Sequence, residues 1–422
     1  MPEGICECSL RYGGQSLTCR MPLPNLAGIF APQPVPACRD AAAEVQRALS
    51  APLGLAQPAE LARAGERVLI LVDDHTRATP VAQILPPILT GLHDAGVPER
   101  DITILITHGT HRLSTAAEVQ HKLGADVAAR YRVVQHDCTD ESAQAYVGLT
   151  SRGTPVWVNR LVLEADRRIG IGHIGPSPYA GYSGGGKLIL PGVAALDTVN
   201  ANHSLVAAAF RRPGHVDVPC RQDIDEAAAL VRLDLVIDVV LNQEEAIVQA
   251  FAGAAEAVFQ AGLPLARQIN EVACPAALDI AITSGAPYDI DLYQAVRAVE
   301  YADTAVRPGG AILLVASCPD GAGGEDFRRL MMASRPSDDY LRAVVRRSGA
   351  VTFSVLGYFL SRIKAEKRLY ILCDGIPPRE LEAMGFQCVP SLQAGVDALL
   401  AAYGPQARVG VFPLGSATIP QL

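Results

Sequence analysis

Four short aliphatic runs punctuate this chain of 422 residues: RVLILV at 67–72, ITILIT at 102–107, LDIAIT at 278–283 and AILLVA at 311–316. Each has strand length and is rich in β-branched residues, and apolar side chains dominate, so each must be buried on both faces. Helical patterns lie between them, at 82–95 and 116–123 in the first half and through Val299 and Tyr301 in the second. Alternating strands and helices predict parallel sheets covered by helices. In such sheets ligands gather at the C-terminal ends of the strands, where loops and helix N-termini meet.

The expected fold class is therefore α/β: two domains, each with a mainly parallel sheet flanked by helices, plus an N-terminal β-hairpin. The hairpin is read from Cys8 to Leu10 and Ser16 to Arg20 around the turn Gly13-Gly14, with a following strand and a stop at Pro32, Pro34 and Pro36. Shorter strands are expected at 156–158 and 168–171. The pattern restarts near Ala273-Cys274-Pro275, with Arg307-Pro308-Gly309-Gly310 as a helix-to-strand turn and further strands at 369–372 and 409–412. A domain boundary is placed near residue 270, giving domains of 1–270 and 271–422.

Composition narrows the function. With 49% hydrophobic and 19% charged residues the chain suits a well-packed α/β protein. A net charge of −8 and no basic run leave no footprint for nucleic acid. No apolar run reaches membrane-spanning length, and no secretory leader pattern opens the sequence, so a cytoplasmic location is expected. The ten cysteines are scattered without CxxC pairs, which reads as reduced, mostly buried thiols.

The polar clusters fall at strand ends. Asp73-Asp74-His75-Thr76-Arg77-Ala78-Thr79-Pro80 follows the first run; a helix cap accounts for one or two of these residues, and an anion-binding arginine beside two carboxylates accounts for the set. Thr107-His108-Gly109-Thr110-His111-Arg112 ends the next strand. An imidazole there suits general acid–base work, and His111 is favoured over His108. Gly181-Tyr182-Ser183-Gly184-Gly185-Gly186-Lys187 almost spells a nucleotide-binding P-loop, but Leu188 stands where Mg²⁺ needs Ser or Thr, and Pro191-Gly192 stops a helix from following. Its backbone N–H groups suit a phosphate. His203 lies sixteen residues beyond Lys187 and is either a structural imidazole or a ligand for nickel, copper or zinc. In the second half, Gly285-Ala286-Pro287-Tyr288-Asp289 follows LDIAIT, and Tyr293, Gln294 and Arg297 open the next helix.

Taken in order, DDHTRATP, GTHR, AGYSGGGKLILPG, the pair Asn202-His203 and GAPYDIDLYQAVRA resemble the nickel-pincer lactate racemase family over most of the chain. The resemblance implies a racemase or epimerase of 2-hydroxy acids that works by hydride abstraction and return. It implies a nickel-pincer nucleotide joined covalently to Lys187, with His203 as the protein ligand to nickel. Asp74, Thr110, Ser183, Gly184, Gly185 and Gly186 would bind the cofactor, with the loop N–H groups on its phosphate. Arg77, Tyr293, Gln294 and Arg297 would bind the substrate. Residues 1–270 would be the cofactor-binding domain and 271–422 the smaller domain closing over the active site. The implied partners are a small 2-hydroxy acid and the proteins that make the cofactor, with no nucleic acid and no membrane.

Two departures from the family pattern point away from lactate itself as the substrate. Ser177 stands where the family carries a second catalytic histidine, in Pro176-Ser177-Pro178-Tyr179-Ala180-Gly181; His173, four residues upstream, is a substitute base, and Tyr179 is another. Arg297 stands where lactate racemases carry lysine, keeping charge but changing reach and hydrogen-bond geometry. His111 is then the main acid–base, with His173 and Ser177 on the second face. The alternatives are a P-loop-like nucleotide-binding protein, a non-catalytic cofactor-binding homologue, and a zinc hydrolase built on His108, His111 and His203.

Overall fold

The computed structural model of the chain describes residues 4–55, 61–208, 213–274, 277–333 and 335–422; Pro275 lies outside them. The chain forms two compact units, one chiefly of residues 34–209 and 215–268, the other chiefly of residues 4–33 and 269–422.

The first unit is built on a six-stranded sheet in the order Ile247–Gly253, Leu235–Leu241, Arg167–His173, Val68–Asp73, Ile102–Thr107, Arg132–Gln135. Its neighbours are parallel except the first pair, which is antiparallel. All six residues of Val68–Asp73 are buried, as expected of a strand covered on both faces. The helix Val81–Asp94 buries Val81, Ile84, Leu85, Ile88, Leu89 and Leu92, the i, i+3, i+4 stripe of an amphipathic helix. Each fully buried aliphatic side chain there contributes roughly 1.5–3 kcal/mol. The helix Ala116–Leu123 starts at a capping box in which Thr115 accepts from the Glu118 backbone while the Glu118 carboxylate accepts from the Thr115 N–H.

The second unit holds six parallel strands in the order Gln387–Cys388, Arg368–Leu372, Val306–Val315, Leu278–Ser284, Val409–Phe412, Leu26–Ile29. The hairpin Ile5–Tyr12 and Gln15–Pro22 is paired in register from Ile5↔Pro22 to Tyr12↔Gln15. The expected class therefore holds: parallel-dominated α/β sheets flanked by helices, with an N-terminal hairpin.

Several local expectations differ. Residues 4–33 belong to the same unit as residues 269–422, rather than to that of residues 34–209 and 215–268, because Leu26–Ile29 pairs with Val409–Phe412. Arg307 to Gly310 is not a turn before the strand but lies inside Val306–Val315. The register passes from Leu278↔Val306 to Ile280↔Ala311, so the extra residues bulge out around Pro308 and Gly309, the latter at φ 79°. The helix expected through Val299 and Tyr301 is two short ones, Leu292–Ala295 and Arg297–Asp303, and Arg297 Nε donates to the Gln294 carbonyl at the junction (3.0 Å).

Candidate active site

Adjacent carboxylates at the end of Val68–Asp73 each orient a different histidine. Asp74 is 1% exposed; its Oδ2 accepts from His111 Nδ1 at 2.7 Å, and its Oδ1 accepts from the Thr76 N–H and hydroxyl at 2.9 and 2.5 Å. Burial works against ionising Asp74, but His111, His108 and Arg77 outweigh it and hold the carboxyl well below the usual range. A carboxylate on Nδ1 fixes the tautomer in which Nε2 is the basic nitrogen of His111. Arg77 Nη2 lies 3.5 Å from that Nε2, with Nη1 donating to Thr76 Oγ1 at 2.9 Å. Thr110 precedes His111 in the same turn and is half-buried.

Asp73 serves the other histidine. The Thr79 hydroxyl donates to Asp73 Oδ2 and lies 2.7 Å from His173 Nδ1. With its own proton committed to Asp73, Thr79 accepts from Nδ1–H, which again makes Nε2 the basic nitrogen. Lys122 Nζ meets Asp73 Oδ1 at 2.6 Å. Burial opposes ionisation of Asp73 too, and Lys122 and His173 overcome it, so its pKa is lowered. His108 is a different case: it is 1% exposed, with Nε2 on Gln135 Oε1 at 2.9 Å and Nδ1 facing Asp74 Oδ2 at 3.6 Å. Arg112 is engaged by Glu118 (2.6 Å), which makes it part of the helix cap.

The glycine loop continues as a 3-10 turn, Gly185–Leu188, and no α-helix follows until Leu196, which removes the geometry a P-loop needs. Three of its backbone N–H groups have partners within the protein: Ser183 N donates to Gly175 O (2.7 Å), Gly185 N to Asp238 Oδ2 (2.6 Å) and Lys187 N to Gly184 O (3.4 Å). The phosphate cradle expected of this loop is thus already taken at those three positions. Lys187 Nζ donates to Ser177 Oγ at 2.8 Å, so the residue that departs from the family pattern touches the lysine directly. The loop tail joins the other cluster, with Gly109 N donating to Gly192 O at 3.0 Å. His203, 6% exposed near the end of Leu196–Ser204, packs edge-on to Tyr179 with ring centroids 4.7 Å apart.

Asp238 was not among the residues singled out from sequence. It is fully buried on Leu235–Leu241 beneath the loop, and its Oδ1 has no hydrogen-bond partner among the described residues. Burial pushes its pKa up to about 6 against the Gly185 N–H that favours the carboxylate. Arg221 was missed as well. It is 2% exposed, stacks on Phe259 at 3.5 Å and donates to Gly184 O at 3.2 Å. A lone aspartate inside the apolar run LVIDVVL was the available signal for the first; Arg221 looks in sequence like any charged helix residue.

In the second unit, Tyr293 packs against Phe327 and Phe353 at 5.4 and 5.2 Å. Gln294, 1% exposed, donates its N–H to Asp291 Oδ1 (2.8 Å) and its side-chain amide to Oδ2 (3.2 Å). Arg297 lies over the Tyr288 ring at 4.0 Å.

Among the described residues no three His, Cys, Asp or Glu side chains are grouped to hold a metal, so His108, His111 and His203 do not form a zinc site.

Fold and site together define the class: a two-unit α/β protein in which consecutive aspartates at a strand end each orient a separate histidine, one directly and one through Thr79. The model of the lactate racemase N-terminal domain matches residues 12–212 and that of the C-terminal domain residues 272–419. The chain is 31% identical over 383 residues to the lactate racemase of Lactiplantibacillus plantarum, covering 89% of this chain and 90% of that one. It is 33% identical over 307 residues to the lactate racemase of Thermoanaerobacterium thermosaccharolyticum, 72% of each chain. The solved lactate racemase apoprotein from T. thermosaccharolyticum matches with a TM-score of 0.88 at 28% identity, over 99% of this chain and 100% of that one. A Thermotoga maritima protein matches with a TM-score of 0.69 at 18% identity, over 86% of this chain and 95% of that one, which speaks to fold alone. The chain belongs to the lactate racemase family, and that membership supports an isomerase of the racemase type.

Proposed function

We propose that the protein racemises or epimerises a 2-hydroxy acid other than lactate, using a nickel-pincer nucleotide held by Lys187 and His203. The observation that carries this reading is the pair of consecutive aspartates, each orienting a separate histidine. A racemase must handle a proton for substrate of either hand, and two oriented imidazoles meet that need. When bound, the cofactor supplies a hydride acceptor and donor for the substrate α-carbon. His111 Nε2 takes the substrate hydroxyl proton while Asp74 stabilises the imidazolium, and the same nitrogen returns the proton. His173, with Nδ1 engaged by Thr79, serves the second face through Nε2. Arg77 recognises the substrate carboxylate, and Tyr293, Gln294 and Arg297 keep the substrate-binding role that the family resemblance implies. Asp74, Thr110 and residues 183–186 belong to the cofactor-binding set in this reading.

Ser177 supports a substrate larger than lactate, because serine leaves volume that histidine would fill. Its hydroxyl also keeps the Lys187 amine in one position, the requirement for forming a bond to a cofactor rather than acting as a diffuse charge. Loading implies the proteins that synthesise the cofactor as partners. The test is co-expression with such a pathway, intact mass to establish the adduct on Lys187, and incubation with a panel of chiral hydroxy acids and sugar acids read by chiral chromatography. Interconversion of one member supports the reading; an adduct-bearing protein that turns over none of them rejects it.

A further inference from the structure

The second unit contains a pair of thiols that the proposed racemase chemistry does not use. Cys318 lies three residues beyond the strand Val306–Val315, and Cys373 directly follows the neighbouring parallel strand Arg368–Leu372. The two turns are laced together: Ala316 N donates to Leu372 O (3.0 Å) and Gly375 N donates to Ser317 O (3.0 Å). A Cβ on Gly375 would fall 1.8 Å from the Cys318 carbonyl oxygen, so only glycine permits this approach. Cys318 is wholly buried with its backbone in the left-handed region, φ 48°, a conformation that side-chain-bearing residues adopt only under constraint. Cys373 packs against the same apolar cluster and is partly open to solvent.

Cys373 Sγ donates to the carbonyl of Ser317, the residue before Cys318, at 3.9 Å, and the two thiols are not equivalent, since Cys318 is wholly buried and Cys373 is not. The neighbouring Cys318 side chain, and after it the Gly375 and Ile376 N–H groups, lower the Cys373 pKa from its ordinary value despite burial. The Cys373 side chain and burial hold Cys318 well above that value. A half-buried thiol that solvent reaches, on a turn bonded to the turn of a fully buried thiol, is the arrangement of an attacking and a resolving cysteine.

We propose that Cys318 and Cys373 form a redox-active dithiol, with Cys373 the site of attack on hydroperoxides and Cys318 the resolving thiol. The Cys373 thiolate attacks one peroxide oxygen; the S–O bond forms, the O–O bond breaks, and hydroxide leaves, so sulfur is oxidised and peroxide reduced. Cys318, losing its proton to that hydroxide, then attacks the sulfenic sulfur. The disulfide forms, the S–O bond breaks, and the second oxygen leaves as hydroxide that solvent protonates, so two thiols and one peroxide give one disulfide and two waters. The turn that would be tied down is bonded to the segment bearing Tyr293 and Gln294. Cys318 N donates to Asp289 O, Leu292 N to Gly321 O and Tyr293 N to Ala322 O, at 2.9, 3.0 and 3.1 Å.

The test uses the full chain, fully reduced and then treated with stoichiometric hydrogen peroxide, and needs no racemase activity. Intact mass should fall by about 2 Da, the two hydrogens lost on disulfide formation, and non-reducing peptide mapping should recover Cys318 joined to Cys373. In Cys318→Ser, dimedone should label Cys373; in Cys373→Ser, dimedone should leave Cys318 unlabelled. Circular dichroism establishes that each variant is folded. A mass loss that maps to other cysteines, such as the cross-strand pair Cys8 and Cys19, overturns the proposal. Absence of both the cross-link and the dimedone adduct in folded protein overturns it equally.

Discussion

At the scale of single residues, the site depends on carboxylates that burial alone would neutralise. Asp74 stays ionised because His111, His108 and Arg77 surround it. Asp74→Asn places an amide against His111 Nδ1 and removes the charge that stabilises the imidazolium; kcat of the loaded protein should fall roughly 10²–10⁴-fold with little change in KM. An Asn variant with wild-type kcat would remove His111–Asp74 from the mechanism. Asp238 titrates in the opposite sense. Its folded pKa of about 6 lies above its ordinary 3.8, so the folded state binds the extra proton and stability from this group falls as pH rises through that window. Asp238→Asn keeps an oxygen for the Gly185 N–H and removes the titration. Urea unfolding from pH 4 to 7 should show the variant gaining on wild type by up to about 3 kcal/mol, levelling above pH 6; a pH-independent difference would refute this. Asp74, His111 and Lys187 were legible in the sequence because they sit in short polar motifs at strand ends. Asp238 was not, since one aspartate within an apolar strand does not reveal what lies above it.

At the scale of elements, the lysine loop is shaped by what it rests on. Gly184 has φ 93°, and a Cβ there would fall 2.7 Å from Ile174 Cγ1 and 2.8 Å from Asp238 Oδ2. Gly184→Ala should therefore cost about 1–3 kcal/mol and reduce adduct formation on Lys187, as read by intact mass. Gly14→Ala, where nothing lies within 4 Å, should change neither. Equal effects of the two substitutions would mean that loop geometry does not govern loading. The sequence identified this segment as a failed P-loop through Leu188 and Pro191, yet its N–H groups proved to be partly engaged by Gly175 and Asp238. Local residue types specify which conformations a loop can reach; the partners that select one come from strands far away in the chain.

At the scale of the whole molecule, acid stability follows from a buried imidazole. His136 is fully buried, its Nε2 on Ala194 O at 3.0 Å, and burial lowers its pKa to about 4. Its folded pKa is depressed below the ordinary 6.5, so the unfolded chain takes up the proton first and stability is lost as pH falls from about 6.5 to about 4. The loss amounts to about 3 kcal/mol. His136→Gln should flatten the stability profile over that interval in denaturant titrations; an unchanged slope would show that other groups dominate. The aliphatic runs and the helical stripes between them determined the α/β class by themselves, because a covered parallel strand has few other sequence solutions. The ordered motifs likewise determined the family. Tertiary structure alone decided that Leu26–Ile29 completes the C-terminal sheet, that two adjacent aspartates serve separate histidines, and that Cys318 and Cys373 follow neighbouring strands on turns bonded to each other. Each of these is a contact between residues 34 or more apart in the chain or on different strands, and periodicity in a single sequence records which face a residue occupies, not which distant face it meets.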